Sequence, residues 1–199
     1  MTEIIENYIG SETTVISFSG VGRKKLPETK PEFNRLSELG YNVIHVMDND
    51  RSWFNAIEEQ RIIALIKTDT VHCIGNSMGA FNAVTFSNLH PVKSVLAFAT
   101  QYSIHPELVP WETRWKGYAN TISKQHGWKY PSLEFNKTTN YLFISGGTSG
   151  RKNQDAAHLA AIPDSSNITK ITRDGYHNIA RTLRKQGTLY STIEEFFNQ

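Results

Sequence analysis

With 199 residues, a formal charge of +2, 20% charged side chains and one cysteine, the chain has the make-up of an ordinary soluble protein. That balance argues against a dedicated nucleic-acid binder, which carries a stronger basic bias, and against an internal disulfide framework. The length suits a single domain over 1–199 with a sizeable core.

The first ten residues carry Glu3 and Glu6 and no long apolar run, so they do not read as a signal peptide. No stretch approaches a transmembrane helix, and the expectation is a cytoplasmic protein without membrane insertion. Six apolar runs suit strands: Thr14 to Ser19, Asn42 to Met47, Thr70 to Ile74, Ser94 to Ala99, Asn140 to Ser145 and Ile168 to Thr172. Helical spacing lies between them. Pro31 to Leu39 is closed by Gly40, Ser52 to Lys67 opens on a capping serine, and Met78 to Leu89 ends before Pro91. Asp155 to Ala161 follows the fifth run, and Asn178 to Phe197 divides near Gly187. Alternating strands and helices predict a parallel sheet covered on both faces, with right-handed crossovers. The segment from Gln101 to Glu134 breaks this rhythm and predicts a compact, partly helical lid-like insertion at about 101–134.

Gly75-Asn76-Ser77-Met78-Gly79 joins the short β-branched run Thr70 to Ile74 to the helical run after it. A serine on such a strand-to-helix hinge is exposed above the sheet, at a helix N-terminus that favours developing negative charge. The flanking glycines let strand and helix approach closely. Ser77 is therefore the candidate nucleophile; the alternative is a glycine-rich turn without chemistry. Cys73 lies in the central strand and reads as a buried, inert thiol.

A serine hydroxyl needs a base and a group to orient that base. Of seven histidines, His177 alone follows the last strand, in Arg173-Asp174-Gly175-Tyr176-His177, which makes it the candidate base. His45 and His72 fall inside strands, His90 ends the elbow helix, His105 and His126 belong to the insertion, and His158 lies in a helix. After the fifth strand, Gly146 to Asp155 offers one carboxylate, Asp155, as the orienting acid. It comes late in that loop, and its competing role is to cap the following helix. Oxyanion donors are expected from the backbone N–H of Met78 and from the loop Ser19-Gly20-Val21-Gly22, at Val21 with Gly22 beside it.

The Ser19 to Gly22 loop, the Gly75 to Gly79 elbow, the late Asp155 and the terminal His177 together resemble the α/β-hydrolase superfamily. The resemblance runs from about Thr14 to the C-terminus. It implies a three-layer α/β-hydrolase sandwich with a reduced, mostly parallel sheet of about six strands, the usual antiparallel start being reduced or missing. It also implies a serine hydrolase that cleaves an ester, thioester or amide through an acyl-enzyme, with no cofactor. The run Gln101 to Pro106 followed by Arg114-Trp115 is similar to small bacterial hydrolases, some of them associated with surface-polysaccharide genes.

Two basic segments, Arg23-Lys24-Lys25 and Arg151-Lys152, leave strands at the edge where open α/β sheets bind ligands. They form a candidate rim for an anionic substrate; the alternative is solvated loop cations. Gln101, Tyr102, Trp111 and Trp115, with Gly22 and Arg23, are the candidate substrate contacts, although aromatic residues of an insertion equally make its private core. Asp48, Asp50 and Arg51 close the second run, either to position substrate or to cap the next helix. No zinc spacing, Walker-type loop or dinucleotide fingerprint occurs. The sequence thus favours an esterase or deacylase for a small or carbohydrate-linked acyl group. An acyltransferase using the same triad and a non-catalytic binding protein of this fold are the alternatives.

Overall fold

Residues 1–22, 28–147 and 154–199 are described in a computed structural model. Its strands are β1 (Thr2–Asn7), β2 (Thr13–Phe18), β3 (Asn42–Asp48), β4 (Thr70–Asn76), β5 (Ser94–Phe98), β6 (Asn140–Gly146) and β7 (Ile168–Arg173). They form one sheet of seven strands in the order β1-β3-β2-β4-β5-β6-β7. Every pairing is parallel except that of β1 with β3. The six apolar runs become β2 to β7, and the antiparallel start is reduced to the single strand β1. Strand β1 escapes sequence reading because it is an edge: of Thr2-Glu3-Ile4-Ile5-Glu6-Asn7 only Thr2 is buried, so no apolar face announces it.

The helices are α1 (Glu59–Ile63), α2 (Met78–Ser87), α3 (Lys116–Gln125), α4 (Gln154–Ala161), α5 (Ile179–Lys185) and α6 (Leu189–Phe197). Two expected helices shrink, each at residues with positive φ that a helix cannot hold. Pro31 to Leu39 keeps only a 3-10 turn at Ser37–Leu39, because Phe33 has φ 56°. Ser52 to Lys67 keeps only α1, because Arg51, Trp53 and Phe54 have φ of 51°, 48° and 69°. There the Asp48 carboxylate and the Ser52 hydroxyl take the backbone N–H groups of Ser52 and Ala56. Gly40 and Gly187 end their segments at φ 89° and 77°, as glycine permits.

The core divides across the sheet. Ile16, Phe18, Val71 and Cys73 pack with α2, all ten residues of which are buried, and with Ala119 and Ile122 of α3. Val15, Ile74, Leu96 and Ile144 pack on the other face with Ile179, Leu183, Leu189, Ile193 and Phe197 of α5 and α6. Each such side chain stabilises the fold by roughly 1.5–3 kcal/mol. Burial pushes the Cys73 thiol up and away from its reactive form. Residues 101–134 contain α3 and close on themselves through the Ser103–Ser132 bridge and the bond from Leu133 N–H to the Tyr102 carbonyl, 2.9 Å. Among the described residues, no helix is long and apolar enough to cross a membrane.

Candidate active site

Strand β4 delivers Ser77 to the sheet edge, and the turn into α2 forces an unusual backbone on it. Ser77 has φ 57° and ψ −121°, a conformation that L residues adopt only when their surroundings impose it. The imposing contacts are steric. A Cβ on Gly75 would sit 2.1 Å from the Gly79 carbonyl oxygen, and one on Gly79 would sit 2.1 Å from that of Phe18. Strand and helix touch backbone to backbone, and the serine between them, expected to be exposed, is buried at 4% exposure beneath its neighbours. Its own N–H donates to the Phe98 carbonyl at 2.8 Å, tying the turn to β5.

His177, on the loop between β7 and α5, lies with Nε2 2.9 Å from Ser77 Oγ. Its Nδ1 lies 3.0 Å from both oxygens of Asp155, in the first turn of α4. A carboxylate only accepts, so the proton sits on Nδ1 and the Nε2 lone pair faces the hydroxyl. Gln101 approaches from the other side: its Nε2 donates to Ser77 Oγ at 3.2 Å and to the Ala99 carbonyl at 3.1 Å. Its Oε1 accepts from the Trp53 indole N–H at 3.2 Å.

Asp155 is further held by Arg114, whose Nη1 reaches Oδ1 at 2.6 Å. The same guanidinium grips Glu112 through Nε, at 3.0 and 3.2 Å, and Nη2, at 2.6 Å. Glu112 Oε2 also meets His158 Nε2 at 2.8 Å. His158 Nδ1 accepts the Tyr102 backbone N–H at 3.1 Å, so its proton lies on Nε2 and points at Glu112. Burial alone would raise both carboxyls. In Glu112 the His158 bond and the Arg114 guanidinium outweigh it and hold the group at about 2. In Asp155 the His177 bond and charge, then Arg114, keep it below the ordinary value. Burial pushes His158 down and keeps it neutral, against the pull of Glu112.

No protein-family model matches this sequence, and no curated protein does either. Solved structures do match in shape. The capsule O-acetyltransferase of Neisseria meningitidis serogroup A superposes with a TM-score of 0.68 at 12% identity, over 100% of this chain and 92% of its own. The type II thioesterase YbtT of the yersiniabactin pathway gives 0.57 at 14%, over 98% of each chain. A Xanthomonas campestris protein described as a hydrolase of the α/β superfamily gives 0.55 at 13%, over 93% of this chain and 98% of its own.

This chain has the α/β-hydrolase fold.

Within that α/β-hydrolase fold, the remaining predicted residues scatter. Met78 opens α2, and neither its N–H nor that of Val21 has a protein partner among the described residues, which leaves both available as donors. Val21 is buried, with its carbonyl accepting Arg51 Nε at 3.0 Å, and Gly22 follows at φ 68°. Gln101 is fully buried, with its amide on the nucleophile. Trp115 packs on the His177 ring at 5.8 Å and on Trp53 at 5.7 Å. Trp111 is partly exposed and lies against His158 at 4.6 Å, and Tyr102 is half-buried on the core. Arg23, Lys24, Lys25, Arg151 and Lys152 lie outside the described residues, so the basic rim does too. Asp48 ties down the turn after β3 and Asp50 pairs with the Met1 amino group, both structural tasks. Among the described residues, no three His, Cys, Asp or Glu side chains converge as metal ligands.

Sequence reasoning missed Arg114, Glu112 and His158. Arg114 and Asp155 stand 41 positions apart, and nothing local in either stretch signals that they pair.

Proposed function

We propose that this protein is a serine hydrolase, an esterase or deacylase, working through an acyl-enzyme on an ester or thioester of a small or carbohydrate-linked acyl group. One observation carries the reading: the unbroken hydrogen-bonded line from Ser77 Oγ through His177 to Asp155, at 2.9 and 3.0 Å. Ser77 Oγ attacks the carbonyl carbon while His177 Nε2 takes its proton. The negative charge that forms on the carbonyl oxygen is met by the Met78 and Val21 N–H groups. Collapse expels the alcohol or thiol, which leaves with the proton from His177. Water then attacks the acyl-Ser77 ester, His177 accepts its proton, and the acid departs as Ser77 is restored. Throughout, Asp155 holds the Nδ1–H tautomer and stabilises the imidazolium.

A second reading keeps the acyl-Ser77 intermediate and passes the acyl group to a sugar hydroxyl. The similarity to the capsule O-acetyltransferase, over 100% of this chain, favours it, and that enzyme has also been solved with CoA bound. Product analysis on acetyl esters and thioesters, with and without a saccharide acceptor, tests both. Free acid as the product supports the hydrolase, and acceptor-dependent acyl-saccharide supports the transferase. No product with any of these, from protein that also resists serine-directed probes, sinks the proposal.

A further inference from the structure

On the α5–α6 face of the sheet a cleft of about 670 Å³ opens, within the range of small-molecule sites. It exists because the expected helix over 31–39 is reduced to a turn, leaving the sheet face uncovered between that turn and α5 and α6. Its walls carry Arg35, Arg181, Arg184 and Tyr190, with Glu32 and Asn76 at the sheet. Neither Ser77 nor His177 lines it; the links to the candidate catalytic pair are Asn76, which precedes Ser77, and Arg181, four residues after His177.

The charges are one-sided. Arg181 and Arg184 are three apart on α5 and, among the described residues, neither has a carboxylate partner. Arg35 pairs with Glu38 at 2.6 Å and lies over the Tyr190 ring at 5.0 Å. The one carboxyl lining the cleft, Glu32, is pushed up to about 7 by burial against a hydrogen bond from Gly20, so it is only partly ionised near neutrality. At this inner wall Glu32 Oε2 and Asn76 Oδ1 are buried without partners, two polar atoms whose demand a ligand donor would meet.

We propose that this cleft binds the phosphate-bearing part of the substrate, with phosphate oxygens on Arg181 and Arg184 and neutral hydroxyl or amide groups toward Glu32 and Asn76. Guanidinium forks suit phosphate, and a cleft of one sign concentrates such ligands. That the ligand's inner end leads to Ser77 rests on the acyl-transfer reading; anion binding itself does not. The phosphate belongs either to a thioester acyl donor or to a phosphorylated sugar.

Calorimetric titration of Ser77→Ala protein separates the sources, with coenzyme A in one arm and glucose 1-phosphate in the other. The expected result is binding of one or both, weakening as salt rises. Affinity should fall by roughly tenfold per guanidinium lost in Arg181→Gln/Arg184→Gln, and less in the Arg→Lys pair, with unchanged circular dichroism as the folding control. No binding in either arm, or equal binding by the double Gln variant, overturns the proposal. Because Ser77 is already removed, this outcome is independent of whether Ser77 is an activated nucleophile, which labelling of wild-type protein decides.

Discussion

Ser77 and Asp155 sit at the two ends of one hydrogen-bonded line, yet different forces hold them. Ser77 is fixed by backbone sterics, where Gly75 and Gly79 within five consecutive residues, and Phe18 at the end of β2, leave no room for any other path. Asp155 is fixed by side chains from elsewhere: Arg114 reaches it from the 101–134 segment, Glu112 holds Arg114, and His158 holds Glu112 in turn. A sterically fixed group fails all at once when a methyl is added. An electrostatically fixed group loosens by degrees and with pH.

That contrast can be broken at either end. Ser77→Ala or His177→Ala should lower kcat/KM by about 10⁴-fold with the fold intact, and Asp155→Asn by about 10³- to 10⁴-fold by presenting the wrong tautomer. Steady-state kinetics beside circular dichroism checks all three. Gly79→Ala should instead cost stability, about 3 kcal/mol by chemical denaturation, since its Cβ would stand 2.1 Å from a backbone oxygen. Arg114→Gln should leave Ser77 reactive but lower kcat by up to about 10²-fold through misplacement of Asp155, and Arg114→Lys by less.

Two buried carboxyls sharpen the comparison by pH. Glu112, held at about 2 against an ordinary 4.5, contributes stability that is present above about 4.5 and lost as pH falls toward 2. Glu32, with only the Gly20 bond to oppose burial and pushed up to about 7 from 4.5, acts in reverse: its contribution is present below 4.5 and lost as pH rises toward 7. Each effect is on the order of 1–3 kcal/mol. Denaturation series across pH should show the acid limb flatten in Glu112→Gln and the 4.5–7 limb flatten in Glu32→Gln. A limb that survives its substitution contradicts the assignment.

The same physics decides how much of the molecule was legible in the sequence. Strands β2 to β6 announce themselves because buried parallel strands must be apolar, β7 by its β-branched residues although none of it is buried, and the elbow because steric fixation writes glycine on both sides of the serine. Chain order singled out His177, and Asp155 stood out as the one carboxylate between β6 and α4's first turn. Strand β1 stayed hidden because an edge needs no apolar face. The helices expected over 31–39 and 52–67 failed at Phe33, Trp53 and Phe54, whose positive φ values no apolar periodicity announces. Arg114 was invisible as a partner for the same reason: an ion pair across 41 positions has no periodicity.

The most direct test of the central claim is labelling with a fluorophosphonate probe, read by intact mass, on wild type, Ser77→Ala and His177→Ala. The account predicts one adduct per chain on wild type and none on either variant. Folded wild type that takes no adduct, or an adduct that persists in Ser77→Ala, would contradict it.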